Sequence, residues 1–149
     1  MTVLTAKIAA ARAVGWTARR AGRGATSLPG KVLLRLQADA ISSLAARLPR
    51  GSVVISATNG KTTTAAMAAS MLKRARIAVI GNRAGANMAG GVASALLFAA
   101  GPGKRVDGEL GLFELDEFWL DGLMGELAPR AVLLGNLFRD QLDRYGELE

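Results

Sequence analysis

The chain predicts an α/β fold: a mostly parallel sheet carrying a phosphate-type loop, preceded by N-terminal helices. Three observations carry this. From Ser52 onward, short apolar runs alternate with helix-prone runs, the pattern of strands joined by right-handed crossover helices. The run Ala57-Thr58-Asn59-Gly60-Lys61-Thr62-Thr63-Thr64 lies between apolar Val53-Val54-Ile55 and alanine-rich residues 65–69, giving the order strand, glycine turn, lysine, hydroxyl, helix. Finally, the polar motifs at 58–64, 81–87, 114–117 and 136–143 all fall just past expected strand ends, where parallel sheets bind ligands.

The elements follow in order. Residues 3–20 have helical periodicity with Ile8, Ala11, Val14 and Ala18 on one side, and Gly22-Arg23-Gly24 interrupts it. A second helix is expected over Lys31–Leu48 with Leu34, Ile41, Leu44 and Leu48 inward, closed by Pro49. Then come a strand at Ser52–Ser56, a helix at Thr62–Arg74, a strand at Ile77–Ile80 and a helix at Met88–Ala100. A loop at Gly101-Pro102-Gly103 leads to a strand at Leu110–Leu115, a helix at Glu117–Glu126 and a strand at Ala131–Leu134. The division expected is a basic helical segment over 1–50 and the first part of a nucleotide-binding domain over 51–149.

Composition narrows the chemistry. The 149 residues suffice for a real core, and half of them are hydrophobic, which excludes global disorder. With neither cysteine nor histidine, the chain has no disulfide, no thiolate or imidazole metal site and no histidine acid/base. Any metal is held by oxygen, which suits Mg²⁺. The net charge of +7 is concentrated early: Lys7, Arg12, Arg19, Arg20, Arg23, Lys31 and Arg35 all precede the first acid, Asp39. Such a block favours anionic partners or forms the solvated face of an amphipathic helix. No run is long and apolar enough for a membrane span, so a cytoplasmic location is expected. Scattered aromatics give no base-stacking pattern, and nucleic acid is not expected as a partner.

The loop at 57–64 is the strongest chemical signal. Backbone N–H groups of such a turn and of the helix start point at an anion. Thr58, Asn59, Gly60, Lys61, Thr62 and Thr63 are therefore the candidate nucleotide-binding residues, with Lys61 reaching the β/γ-phosphates and the Thr62 hydroxyl ligating Mg²⁺. The general pattern wants a glycine where Ile55 stands, and Ala57 replaces the natural alternative; the plainer reading is a glycine turn with a solvated Lys61. Glu114, at an apolar strand end, is the favoured Mg²⁺ ligand opposite the loop, while Asp116 and Glu117 are read first as caps of the next helix. Asn136 either bonds a nucleotide or closes a turn, and Asp140 orients Lys61 or a metal-bound water. Asn82 and Asn87, around Gly85-Ala86, either read a polar substrate or shape the loop.

Together these pieces resemble the Mur ligases and folylpolyglutamate synthases. Residues 57–64 look like their Gly-Thr-Asn-Gly-Lys-Thr loop, with Ala57 in place of the usual glycine, and Glu114-Leu115-Asp116-Glu117 looks like their strand-end acidic motif. The segment from Asn136 to Glu147 discriminates among them: most Mur ligases have Asp-His where this chain has Asp140-Gln141, and Asn-Leu-Phe-Arg-Asp-Gln-Leu-Asp-Arg-Tyr-Gly is similar to the MurT branch. Thr26-Ser27-Leu28-Pro29-Gly30-Lys31 and Gly85-Ala86-Asn87-Met88 look like that branch too. The resemblance spans roughly residues 20–149.

The resemblance implies an ATP-dependent, amide-forming ligase subunit of peptidoglycan synthesis. It would activate the α-carboxylate of D-glutamate in lipid II as an acyl phosphate, with a GatD-like glutamine amidotransferase supplying ammonia to give D-isoglutamine. ATP and Mg²⁺ are the implied cofactors. Lys61 and Glu114 carry catalysis, Thr62 and Glu114 hold the metal, Asn136 and Asp140 line the nucleotide site, and Asn82 and Asn87 face the substrate. The basic N-terminus would meet an anionic membrane at its inner face. The family's C-terminal domain, and any zinc-ribbon cysteines of its middle domain, would lie beyond these residues, so this stretch alone is expected not to complete amidation. Two alternatives stand beside this one: another Mur or folylpolyglutamate-type ligase, and a non-catalytic ATP-binding interaction module.

Overall fold

A computed structural model describes residues 3–20, 26–82, 85–101 and 105–136. The order of elements is α1 (Val3–Arg20), α2 (Leu28–Leu36), α3 (Ala40–Ala45), β1 (Ser52–Ser56), α4 (Lys61–Arg74), β2 (Val79–Ile80), α5 (Ala89–Ala99), β3 (Leu110–Leu115), α6 (Glu117–Leu127) and β4 (Ala131–Leu134). The four strands form one parallel sheet in the order β2-β3-β1-β4. The expected α/β class and parallel sheet are therefore present, and three strands match their expected bounds residue for residue.

Register decides where the site lies. Ser56 of β1 stands beside Leu115 of β3 and Leu134 of β4, so three strands end level and release their following loops at one edge. Alternation does the rest. Val54, Phe113 and Leu115 face the core with α1, α3, α5 and α6, while Ile55 lies beside Glu114 on the opposite face, toward α4.

The N-terminal helices share the core of the sheet: Ile8 and Ala11 of α1, Leu33 of α2 and Ile41 and Leu44 of α3 are buried in the same cluster as Val92, Leu96 and Leu97 of α5. The α2–α5 contact is backbone to backbone. A Cβ at Gly30 would lie 2.0 Å from the Gly90 carbonyl oxygen, and the Gly30 N–H donates to Ser94 Oγ at 2.8 Å. Arg12 reaches from α1 to the C-terminal end of α5, donating to the carbonyls of Leu97, Phe98 and Ala100. A cation placed there satisfies carbonyls that a helix end leaves without N–H partners and complements the helix dipole.

Two expectations are corrected. The helix read over Lys31–Leu48 is two helices: Gln37 is extended (φ −150°, ψ 97°) and a turn at 37–39 separates α2 from α3. Side chains hold the break, with Lys7 Nζ donating to Gln37 Oε1 at 2.7 Å and the Asp39 carboxylate accepting from Gln37 and from Ser43 Oγ. The strand read over Ile77–Ile80 is reduced to Val79–Ile80.

Candidate active site

The phosphate-type loop leaves β1 and enters α4 through Gly60, which sits at the helix N-cap with φ +83°. Glycine adopts that left-handed conformation without steric penalty, and the space beside its Cα is open. The helix start leaves its first N–H groups without intrahelical carbonyls, the arrangement that attracts an anion. Asn59, Gly60, Thr62 and Thr63 are exposed there, while Thr58 is half-buried.

Lys61 is the buried member of the group. Its side chain is 8% exposed, and its ammonium donates to the Ala57 carbonyl and to Glu117 Oε2, the latter at 3.1 Å. Burial disfavours the Glu117 charge, but hydrogen bonds from its own backbone N–H, from Thr58 and from Lys61 outweigh it and hold the carboxyl down to about 2. Thr62 Oγ1 donates to Glu114 Oε1 at 2.8 Å, across the gap between the loop and the end of β3. Glu114 itself is 7% exposed.

This donor set fits Mg²⁺. A hydroxyl and a carboxylate in direct contact, beside an anion-binding loop, match an ion that takes one or two protein oxygens and completes its shell with water and phosphate. Among the described residues no cluster of three or more acidic side chains forms a metal cage, which is the arrangement a tighter all-protein site would require.

The second loop is pinned to the same strand end. Asn82 Nδ2 donates to the Glu114 carbonyl at 2.7 Å and the Glu114 N–H donates to Asn82 Oδ1 at 2.9 Å, so one side-chain amide imitates a further rung of the β2–β3 ladder. Asn82 also donates to the Ala86 carbonyl at 2.8 Å. Asp116 N–H donates to the Asn87 carbonyl at 2.9 Å, and Asn87 Nδ2 lies 3.5 Å from Asp116 Oδ2. On the other flank, Asn136 accepts the Thr58 N–H on its backbone carbonyl at 2.7 Å and the Asn59 N–H on Oδ1 at 3.0 Å.

The structure thus gathers Thr58–Thr63, Asn82, Asn87, Glu114 and Asn136 at the three level strand ends. Asp140 lies outside the described residues, as does the rest of the segment from 137 onward. Sequence reasoning gave Glu117 to a helix cap and missed it as the partner of Lys61. Its position at the end of an apolar strand was the available signal, but the reach of Lys61 across the sheet was not visible. Asp116 holds the N-cap position of α6 without a side-chain cap bond.

The chain is similar in sequence to known proteins. The Mur ligase middle domain profile matches residues 55–149. The MurT subunit of lipid II isoglutaminyl synthase (glutamine-hydrolysing) from Staphylococcus aureus strain N315 is 36% identical over 131 residues, covering 88% of this chain and 29% of its own. The subunit of the same name from Streptococcus pneumoniae strain ATCC BAA-255/R6 is 37% identical over 144 residues, covering 97% of this chain and 31% of its own. A UDP-N-acetylmuramoylalanine–D-glutamate ligase from Desulfotalea psychrophila is 33% identical over 127 residues, covering 80% of this chain and 25% of its own. The chain spans less than a third of the length of these relatives. With the profile matched from β1 through the loop, the strand-end acids and β4, the chain belongs to the Mur ligase family and carries its middle-domain sequence.

Proposed function

We propose that this site binds ATP and Mg²⁺ and phosphorylates a carboxylate for amide formation. The observation that carries the reading is the Thr62–Glu114 contact beside buried Lys61, at the edge where β1, β3 and β4 end together. In this reading the substrate is the α-carboxylate of D-glutamate in the stem peptide of lipid II. A carboxylate oxygen attacks the γ-phosphorus and ADP leaves; ammonia then attacks the acyl carbon and phosphate leaves, giving D-isoglutamine. Thr62 and Glu114 would hold Mg²⁺, which would supply charge neutralisation for the phosphates. Lys61 turns from Ala57 and Glu117 to the transferring phosphoryl group and stabilises charge developing there. Asn136 and Asp140 belong to the nucleotide side, and Asn82 and Asn87 to the substrate side. The ammonia source is a GatD-like glutaminase subunit, consistent with relatives that are the MurT subunit of a glutamine-hydrolysing synthase.

The site of action is the inner face of the membrane, where lipid II is displayed. Among the described residues no helix is long and apolar enough to cross a membrane. On α1, Lys7 and Arg12 are engaged inside the fold, and Trp16, 57% exposed with Arg20 stacked on its ring at 4.0 Å, is the proposed anionic-membrane contact. Replacing both with alanine should release the protein from anionic vesicles; unchanged binding refutes the contact. Deleting α1 is a poorer test, because Ile8 and Ala11 leave the core with it.

The decisive assay is ATP- and ammonia-dependent amidation of lipid II by the full natural polypeptide, with and without a glutaminase subunit. Lys61→Ala should abolish it. Amidation that survives Lys61→Ala refutes the mechanism.

A further inference from the structure

Ala57 stands where the loop that this chain resembles has its usual glycine, and the structure shows what lies against it. Ala57 is 4% exposed. Its backbone is ordinary, since among the described non-glycine residues only Arg76 and Ala128 have positive φ. A glycine at 57 would therefore bring no needed conformational freedom; what the methyl needs is room. The room is at Gly135, the residue after β4. A Cβ built at 135 would lie 2.6 Å from the Ala57 Cβ and 3.8 Å from the Ala57 Cα. Gly135 also has no positive φ, so its missing side chain serves space and not conformation.

The neighbouring bonds make this a mould for the loop. Gly135 N–H donates to the Ser56 carbonyl at 2.8 Å, immediately before the loop. Asn136 then accepts the Thr58 and Asn59 N–H groups, on its carbonyl and its side chain in turn. Three consecutive contacts fix the path of residues 56–59, and that path decides where the Ala57 carbonyl holds Lys61 and where the α4 N–H groups aim.

We propose that Gly135 and Asn136 are positioning residues for the phosphate loop: the absent side chain at 135 accommodates the Ala57 methyl, and Asn136 holds the Thr58 and Asn59 N–H groups in place. Both act through the loop and touch no reacting atom. This rests on the nucleotide-binding reading above.

A double-mutant cycle tests it, reading ATP affinity of the full natural polypeptide. Gly135→Ala should weaken ATP binding by about tenfold. Adding Ala57→Gly should restore it to about the affinity of Ala57→Gly alone, a suppression that general damage to the sheet would not show. Asn136→Ala should weaken ATP binding whether residue 57 is alanine or glycine, because the one bond it removes, Oδ1 to the Asn59 N–H, does not involve the residue 57 side chain. If the parent binds ATP in a Lys61-dependent manner but Gly135→Ala changes nothing, or Ala57→Gly fails to suppress it, the positioning role is overturned while the nucleotide reading stands. If the parent binds no ATP, the nucleotide reading falls and the positioning role falls with it.

Discussion

Glu117 shows how a residue's role depends on what lies across the sheet. Adjacent in sequence to two other candidates, it is the one that meets Lys61. Its carboxyl is held at about 2 against an ordinary 4.5, so it gives the folded state a stabilising charge that is fully present above pH 4.5 and lost as pH falls toward 2. The group is only partly buried, and solvent screening keeps the effect within about 1 kcal/mol. Acid titrations of stability should therefore show a smaller loss between those two pH values for Glu117→Gln than for the parent. Glu114 makes a different prediction. If it shares Mg²⁺ with Thr62, Glu114→Gln should raise the Mg²⁺ concentration for half-maximal ATP-dependent activity by about tenfold or more, while Thr62→Val does the same from the other side of the contact. The strand, glycine turn and helix start at 52–64 were legible in sequence because their signal is local: turn, lysine and hydroxyl are consecutive. Lys61–Glu117 and Asn136–Asn59 were not, because they join residues 56 and 77 positions apart.

At the level of elements, strands were read well and helix ends less well, for a physical reason. Ser52–Ser56, Leu110–Leu115 and Ala131–Leu134 are short apolar runs bounded by turn residues, and nothing distant is needed to place them. The break between α2 and α3 is held by Lys7, 30 residues before Gln37, together with Asp39, and no proline or glycine marks it. The shortening of β2 is at its start, where the Ile77 N–H donates back to the Leu72 carbonyl of α4 instead of joining the sheet. The α2–α5 contact offers the sharpest test at this scale. Gly30→Ala forces a methyl onto the Gly90 carbonyl and the Ser94 N–H, both backbone, and onto the Ser94 hydroxyl. It should cost about 3 kcal/mol, read as a lower urea midpoint with an unchanged slope. Ser27–Lys31 thus matters to the fold through packing on α5, whatever else it does.

Across the whole molecule, the sheet is uneven in its cover. One face carries the shared core of α1, α2, α3, α5 and α6. At the edge, β4 exposes Val132 by 37%, Leu133 by 45% and Leu134 by 62%, and α4 exposes Met67 by 56% and Met71 by 64%. Apolar edge strands pair with whatever strand they meet. The 149-residue chain by itself should therefore self-associate with rising concentration, and Leu134→Lys should reduce that, measured by light scattering; a chain that scatters identically with and without the lysine would remove β4 as the cause. The fold class was legible at this scale from alternation alone. The sharing of one core by the basic N-terminal helices and the sheet was not, since amphipathic periodicity says that a helix has a buried face but not what it faces.

Asn82 ties these scales together mechanically. Because its amide closes two hydrogen bonds on the backbone of Glu114 and a third on Ala86, the loop after β2 and the carboxylate facing Thr62 are one lever. A ligand that shifts the loop by an ångström must either break both rungs or carry the end of β3 with it. A displacement of Asn82 is thereby felt at the end of β3 without any hinge, and in the proposed reaction the Thr62–Glu114 contact would sense whether the acceptor had arrived.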